Sequence, residues 1–368
     1  MTPVELLVRA AIERRGPIPF DEVMALALYH PEHGFYASGG QAGRRGDFLT
    51  SPEVGPLFGA VVARALDGWW VDAGEPDVFT VVEAGAGPGS LARSVLGSAP
   101  GCRRALRYVL VEVSDLQRAR HGEHLEVQPP AFAFASAPDP DEDDPPAVVP
   151  TGPIVVSLSD LPRTGSPCVV VANELLDNLP VQLYERTARG WDEVRVAIED
   201  EAIVDVVVPP SSFAGHDAPL GARMPVAGAA TRWVREAVAL AGRGGRVIAF
   251  DYASTSDEMA HRPWTSWLRT YRGHDRGGPP LERLGEQDIT CEVAVDQLPT
   301  PTRDVSQAAW LREHGIDELV DEGRAIWRER AAIGDLEAMQ ARSRVIEAEA
   351  LLDPAGLGAF RVLEWDGR

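Results

Sequence analysis

The chain contains no lysine, so all 35 of its basic residues are arginine. A P-loop NTPase needs the lysine that reaches its nucleotide's phosphates, and a pyridoxal enzyme needs one for its Schiff base, so both chemistries are excluded. Cysteine is scarce: Cys102, Cys168 and Cys291 stand far apart with no C-x-x-C pair, which argues against a disulfide framework and a cysteine zinc site. His30 and His33 in YHPEHG have a proline and a glycine around them and read as a turn, so no metal is expected. No run approaches the roughly 20 apolar residues of a membrane span, and the opening MTPVELLVRAAIERRG lacks the apolar stretch of a signal peptide. Together these absences lead to the expectation of a cytoplasmic protein without membrane insertion. Positive charge is in deficit as well, with 56 acidic residues giving a formal charge of -21. Such a chain repels phosphate backbones, so nucleic acid is not an expected partner, whereas a neutral or basic protein is acceptable. What remains, 368 residues of which 45% are hydrophobic and 25% charged, fits one main soluble domain with elaborations.

The most informative stretch runs from Phe79 to Leu96, FTVVEAGAGPGSLARSVL. An apolar strand ends in Glu83, passes through Gly85, Gly87 and Gly89, and continues with helical spacing. Glycine lets a backbone turn sharply and approach a ligand closely, so this is a nucleotide-cradling turn, with Glu83 placed to hold a polar ligand group. The dinucleotide pattern G-x-G-x-x-G would need a third glycine at position 90, which is Ser90. E-x-G-x-G-x-G instead resembles motif I of the class I S-adenosylmethionine-dependent methyltransferases. A second strand, Arg107 to Ser114, carries Glu112 near its end, where an α/β nucleotide fold places the carboxylate that binds ribose hydroxyls.

The flanking segments can be placed in order. Thr2–Arg15 is an amphipathic helix with Leu6, Leu7, Ala10 and Ala11 on its apolar face, and Phe20–Tyr29 is a second, the two forming a cap. Gly34 to Glu53 is a long glycine-rich loop whose Asp47, Thr50, Ser51 and Glu53 suggest function. Thr50 or Ser51 also suits the N-cap of a helix starting near Pro52, a role compatible with a ligand at the same N-terminus. Pro129 to Pro153, with DPDEDDPP at its centre, is a solvated acidic excursion. Strands follow at Ile154–Leu158 and in CVVVANE, whose end carries Asn173 and Glu174, with Asp177 just beyond. Alternation over 181–208 indicates an antiparallel side sheet. A helix over Ala227–Ala241 and a strand over Arg246–Tyr252 come next. The aromatic and polar loop from Trp264, with Trp267, Arg269, Tyr271, Arg272 and His274, leads to a strand over Thr290–Val295. Helices from Ser306 to Arg344 and a last strand over Phe360–Trp365 close the chain.

Laid end to end, GDFLTSPEVGPLFG, VVEAGAGPGSLA, VEVS, ANELLDNLPV, FDY and GEQDIT make the chain resemble the MidA-like family, the mitochondrial complex I assembly-factor methyltransferases and their bacterial relatives. One departure is Ala253, where the family has glycine after the Asp-Tyr pair. The resemblance implies an α/β class I methyltransferase (Rossmann-like) sheet with a helical N-terminal cap and an inserted β-rich side domain. Residues 1–75 would form the cap and ligand-covering loop, and 76–368 the methyltransferase domain, with its insertion near 182–225 and C-terminal helices. It further implies S-adenosyl-L-methionine as cofactor and a protein substrate, since the mitochondrial member methylates an arginine of a complex I subunit. Glu83, Gly85, Gly87, Gly89 and Glu112 would hold the cofactor, with Asp47, Thr50, Ser51, Pro52 and Asn173 around it. Glu174, Asp177 and Glu53 are the carboxylates that would meet a guanidinium. Two other readings are a non-catalytic assembly protein that keeps the fold and a nicotinamide oxidoreductase, the latter weakened by Ser90.

Overall fold

The computed structural model describes residues 1–37, 50–134, 151–165, 167–209, 213–273 and 275–368. Asp47, His274 and the centre of the acidic excursion around Asp141 lie outside them. The chain forms two compact units, one of Met1–Thr50, Glu174–Ala237 and Ala249–Thr302, the other of Ser51–Asn173, Val238–Ile248 and Arg303–Arg368.

In the first unit the helix Pro3–Arg15 starts at a capping box, with Thr2 and Glu5 each accepting the other's backbone N–H, and stops at Gly16. Such a cap contributes about 1 kcal/mol. Its buried stripe is Val4, Val8, Ala11 and Ile12, while Leu6 is exposed. The apolar face is therefore set by the i, i+4, i+7, i+8 rows and corrects the expectation of Leu6, Leu7 and Ala10. The helix Phe20–Tyr29 buries Phe20, Val23, Met24, Ala27 and Leu28. Both helices share a core with Val181, Leu183, Val194 and Val196 of the inserted sheet. That sheet is antiparallel, Gly190–Glu199 pairing with Gln182–Thr187 on one side and with Ile18–Pro19 and Ala202–Val208 on the other.

Two expectations in this unit are corrected. The stretch after Trp264 is not all loop, because Leu268–Arg272 is a strand with Leu268 and Thr270 buried. It pairs antiparallel with Asp288–Cys291. The single strand expected over Thr290–Val295 is broken at Glu292, and Val293–Ala294 pairs instead with Ala253–Ser254. Ala253 is thus extended, a conformation that any residue adopts, which is why glycine is dispensable there.

The second unit is built on a seven-stranded sheet. We number its strands β1 (Phe79–Ala84), β2 (Leu106–Val111), β3 (Ile154–Leu158), β4 (Cys168–Asn173), β5 (Arg246–Asp251), β6 (Arg303–Ser306) and β7 (Arg361–Asp366). Their order is β6-β7-β5-β4-β1-β2-β3. β1 runs parallel to both β2 and β4, β2 parallel to β3, and the edge pair β6 with β7 is antiparallel. Every residue of β1 and β2 is buried, as expected for parallel strands covered on both faces. The chain moves outward from β1 to β2 and β3, then returns to β4 on the other side. β1 is therefore the switch point of the sheet, and its carboxyl end is where such folds bind ligands. The C-terminal helical stretch resolves into Gln307–Glu313, Ile316–Arg330 and Leu336–Leu351, burying Trp310, Leu311, Ile316 and Leu319. Among the described residues no helix is long and apolar enough to cross a membrane.

Candidate active site

The turn after β1 holds Gly85, Gly87 and Gly89 at φ of 66°, 51° and 84°. A residue with a Cβ would lose about 1–2 kcal/mol at each. The alternation reverses the chain and delivers it into the helix Ser90–Gly97. A Cβ on Gly87 would meet nothing within 4 Å, so the space before the turn is open, whereas one on Gly89 would stand 3.3 Å from Leu125 and 3.5 Å from His121. The turn is open in front and packed behind.

Carboxylates fix it in place. Glu112, buried just beyond β2, accepts the Gly87 N–H at 2.9 Å on Oε2 and the Ser114 N–H at 2.8 Å on Oε1. Burial raises its carboxyl above the ordinary range, and these N–H groups with Arg118 oppose the rise. Glu83 is enclosed in β1, where it accepts the Tyr108 hydroxyl at 2.7 Å and the Ala92 N–H. Burial pushes its carboxyl up to about 8, so it is protonated at neutral pH. Ser90, the first helical residue, donates to Glu53. Ser51 is fully buried and donates to Gln307 Oε1 at 3.2 Å, and Pro52 is buried beside it. Left-handed glycines, open space before the middle one, a helix start and a strand-end carboxylate are the set that a nucleoside cofactor requires, so the residues present fit one.

The first unit holds a different arrangement. Asp177, Asp251 and Asp288 are all buried, at 3%, 1% and 0% exposure. Asp251, at the end of β5, accepts the N–H groups of Leu176 at 2.9 Å, Asp177 at 3.3 Å and Tyr252 at 3.0 Å, which fixes the short helix Leu176–Asn178. Glu174, at the start of this segment, has a φ of 51° and donates its N–H to the Phe250 carbonyl at 2.8 Å. Tyr252 donates to Asp177 Oδ2. Asp288 Oδ1 accepts both the Tyr36 hydroxyl and the Asn178 amide at 3.1 Å. Asp177 Oδ1 and Asp288 Oδ2 are buried with no hydrogen-bond partner among the described residues.

Burial raises all three carboxyls: Asp177 to about 6, Asp288 to about 8 with the charge of Asp177 adding to it, and Asp251 well above the carboxylate range with Asp177 and Glu174 adding to it. No ion pair to any of the three occurs among the described residues. Arg269, whose guanidinium stands 5.8 Å from the centre of the Tyr252 ring, pairs with Glu292 at 3.0 Å. Among the described residues no three His, Cys, Asp or Glu side chains have a metal-holding arrangement.

The expected site residues are thus divided. Glu53, Ser51 and Pro52 belong with the glycine turn, Asn173 closes β4, Thr50 is buried at the end of the first unit's opening segment, and Glu174 and Asp177 belong with the acid cluster. Asp251, Asp288, Tyr36 and Tyr252 are not among the expected site residues, nor is His121 behind the turn. The sequence signal for the two aspartates was an acid at the edge of an apolar strand, in FDY and in GEQDIT. A groove of about 480 Å³, lined by Arg163, Thr164, Leu240 and Arg243 among others, lies at the amino end of β4 and contains none of these residues.

A parallel sheet with a glycine turn at its switch point and a strand-end acid beside it defines a nucleoside-cofactor α/β enzyme of the class I methyltransferase type. The chain belongs to the S-adenosyl-L-methionine-dependent methyltransferase family whose model matches residues 61–313. It is similar over 98% of its length, and 91% of the other chain, to a COG1565 superfamily member from Burkholderia thailandensis bound to S-adenosyl-homocysteine, with a TM-score of 0.76 and 30% identity. It is also similar to the mitochondrial protein arginine methyltransferase NDUFAF7 of Mus musculus, at 25% identity over 86% of this chain and 75% of that protein. The Bos taurus counterpart is 28% identical over 86% of this chain and 74% of its own length. S-adenosyl-L-methionine is therefore the cofactor, and the class I fold is established. The expectation of a cytoplasmic location is overturned by these relatives, which are mitochondrial proteins.

Proposed function

We propose that the protein transfers a methyl group from S-adenosyl-L-methionine to an arginine side chain of a protein substrate, and that the acid cluster receives the guanidinium. The observation that carries this reading is the burial of Asp177, Asp251 and Asp288 together, with two of their oxygens unpartnered among the described residues. Carboxyls packed this way resist ionisation because each burial and each neighbouring charge favours the neutral form. A guanidinium, planar and permanently charged with five N–H donors, reverses that preference and satisfies the open lone pairs. The names of the mammalian relatives, protein arginine methyltransferases, support the same substrate class. The formal charge of -21 favours a basic protein segment over nucleic acid.

When bound, the cofactor supplies a methyl group on a positively charged sulfur. Asp177 and Asp288 hold the guanidinium, and one of them takes the proton that its nitrogen gives up as the new N–C bond forms and the carbon–sulfur bond breaks to leave the neutral thioether. Tyr252 and Tyr36 aim these two carboxyls, and Asp251 fixes the segment that carries Asp177. Gly85, Gly87 and Gly89 receive the cofactor, with Glu112 at the ribose. Glu83, whose carboxyl is occupied by Tyr108 and Ala92, supports the turn from inside and does not touch the ligand. Holding the reactants together contributes about 7–11 kcal/mol to such a displacement. Incubating extract of the source cells with labelled S-adenosylmethionine, followed by mass spectrometry, should yield a labelled protein bearing methylarginine. A labelled small molecule with no labelled protein would refute the proposal.

A further inference from the structure

The back of the glycine turn carries a side chain that the family match does not explain. His121, in the helix Asp115–His124, is 1% exposed. Its Nε2 lies 2.8 Å from the Gly87 carbonyl oxygen and its Nδ1 lies 2.9 Å from Ser157 Oγ on β3. A carbonyl only accepts, so Nε2 carries the proton, and in the neutral ring Nδ1 is left to accept from the Ser157 hydroxyl. The ring edge also backs Gly89, where a Cβ would come within 3.5 Å of His121 Cδ2. Glu112 holds the N–H of the same Gly87 at 2.9 Å. Both polar groups of this residue are thus tied to neighbours.

We infer that His121 is a positioning residue for the cofactor: as the neutral Nε2–H tautomer, locked by Ser157, it holds the Gly87 carbonyl back so that the turn presents a fixed face to S-adenosylmethionine. Burial of the ring lowers its basicity, in accord with this role. The inference concerns cofactor affinity alone and is independent of which molecule accepts the methyl group. A glutamine reaches the same carbonyl with an amide N–H, whereas phenylalanine fills the space without a donor.

The test is calorimetric titration of the purified full chain with S-adenosylhomocysteine, alongside long-range nitrogen NMR of the histidine rings at neutral pH. His121→Phe should weaken binding about tenfold or more, as expected for loss of one buried hydrogen bond and release of its partner. His121→Gln should recover most of the affinity, and Ser157→Ala should weaken it about threefold. In steady state His121→Phe should raise KM for S-adenosylmethionine and leave kcat within about twofold, a split that general destabilisation does not produce. A folded His121→Phe that binds as the wild type does, a His121→Gln no better than His121→Phe, or an Nδ1–H tautomer in the wild-type spectrum would each overturn the inference. The spectrum decides even where a variant fails to fold.

Discussion

At the glycine turn, the Gly87 N–H meets Glu112, its carbonyl meets His121, and the carboxyl of Glu83 is answered by Tyr108 and Ala92. In the acid cluster, Asp177 Oδ1 and Asp288 Oδ2 are buried with no such answer among the described residues. Both regions lie at strand ends and both hold buried acids, yet among the described residues the acids of one are answered and two oxygens of the other are not. An unanswered buried carboxyl oxygen costs about 1–3 kcal/mol or more, a cost that a visiting group supplying the partner removes. On the proposed reading, the turn is organised in advance for a cofactor of fixed shape, and the cluster keeps open lone pairs for a guanidinium that arrives and leaves.

The largest expected effect tests that division directly. Asp288→Asn or Asp177→Asn should lower methyl transfer by about 10²–10⁴-fold, the range of a lost proton acceptor, while S-adenosylhomocysteine binds within about twofold of wild type. Parallel loss of both in calorimetry and turnover would mean that the two regions are not separate in function. Next in size, Gly87→Val places a branched side chain in the open space before the turn, at a φ of 51°. It should weaken S-adenosylhomocysteine about 100-fold by titration calorimetry, a loss of about 3 kcal/mol, and leave the acid cluster's titration unchanged. Glu112→Gln is milder, because the amide keeps an oxygen for one of the two N–H groups it serves. Binding should weaken about tenfold, the size of a charge-assisted hydrogen bond.

Much of the turn was legible because its constraints are local. Three glycines at alternate positions between an apolar run and a helical one require left-handed backbone wherever the chain reverses, and Glu112 follows from the length of one strand-helix-strand unit. The acid cluster was half legible. Glu174 and Asp177 stand in one contiguous motif, but Asp251 and Asp288 reach the same place from segments more than 70 residues away, Asp251 at the end of β5 and Asp288 through a pairing between Leu268–Arg272 and Asp288–Cys291 that no local period announces. His121 was invisible for the same reason. A histidine near the end of a polar helix reads as solvated until the fold brings Ser157 and Gly87 to its two nitrogens. The buried face of the first helix was misread because it was drawn through Leu6 and Leu7, whereas the packing row runs through Val4, Val8, Ala11 and Ile12.

The smallest effect is one of stability; its sign is shared by the two regions, and ligands separate them. For Asp177 and Asp288 the folded protein holds protons that the unfolded chain gives up near the ordinary value of 3.8. Between that value and the raised ones the native state binds more protons than the unfolded state, so unfolding free energy falls as pH rises. The fall runs from 3.8 up to about 6 for Asp177 and from 3.8 up to about 8 for Asp288, levelling off above each raised value. Asp288→Asn should remove the upper part of the decline and melt higher than wild type at pH 8.5, by a few degrees if about 1 kcal/mol is recovered. Glu83, raised to about 8 in the other unit, adds to the same decline, so Glu83→Gln should flatten it independently and the double variant should be flatter than either. Ligands then tell the two contributions apart. An arginine-containing substrate peptide should restore the wild-type melting temperature at pH 8.5 and do little for Asp288→Asn, whereas S-adenosylhomocysteine should raise both by the same amount. Equal response of both proteins to the peptide would mean that Asp288 does not meet the guanidinium.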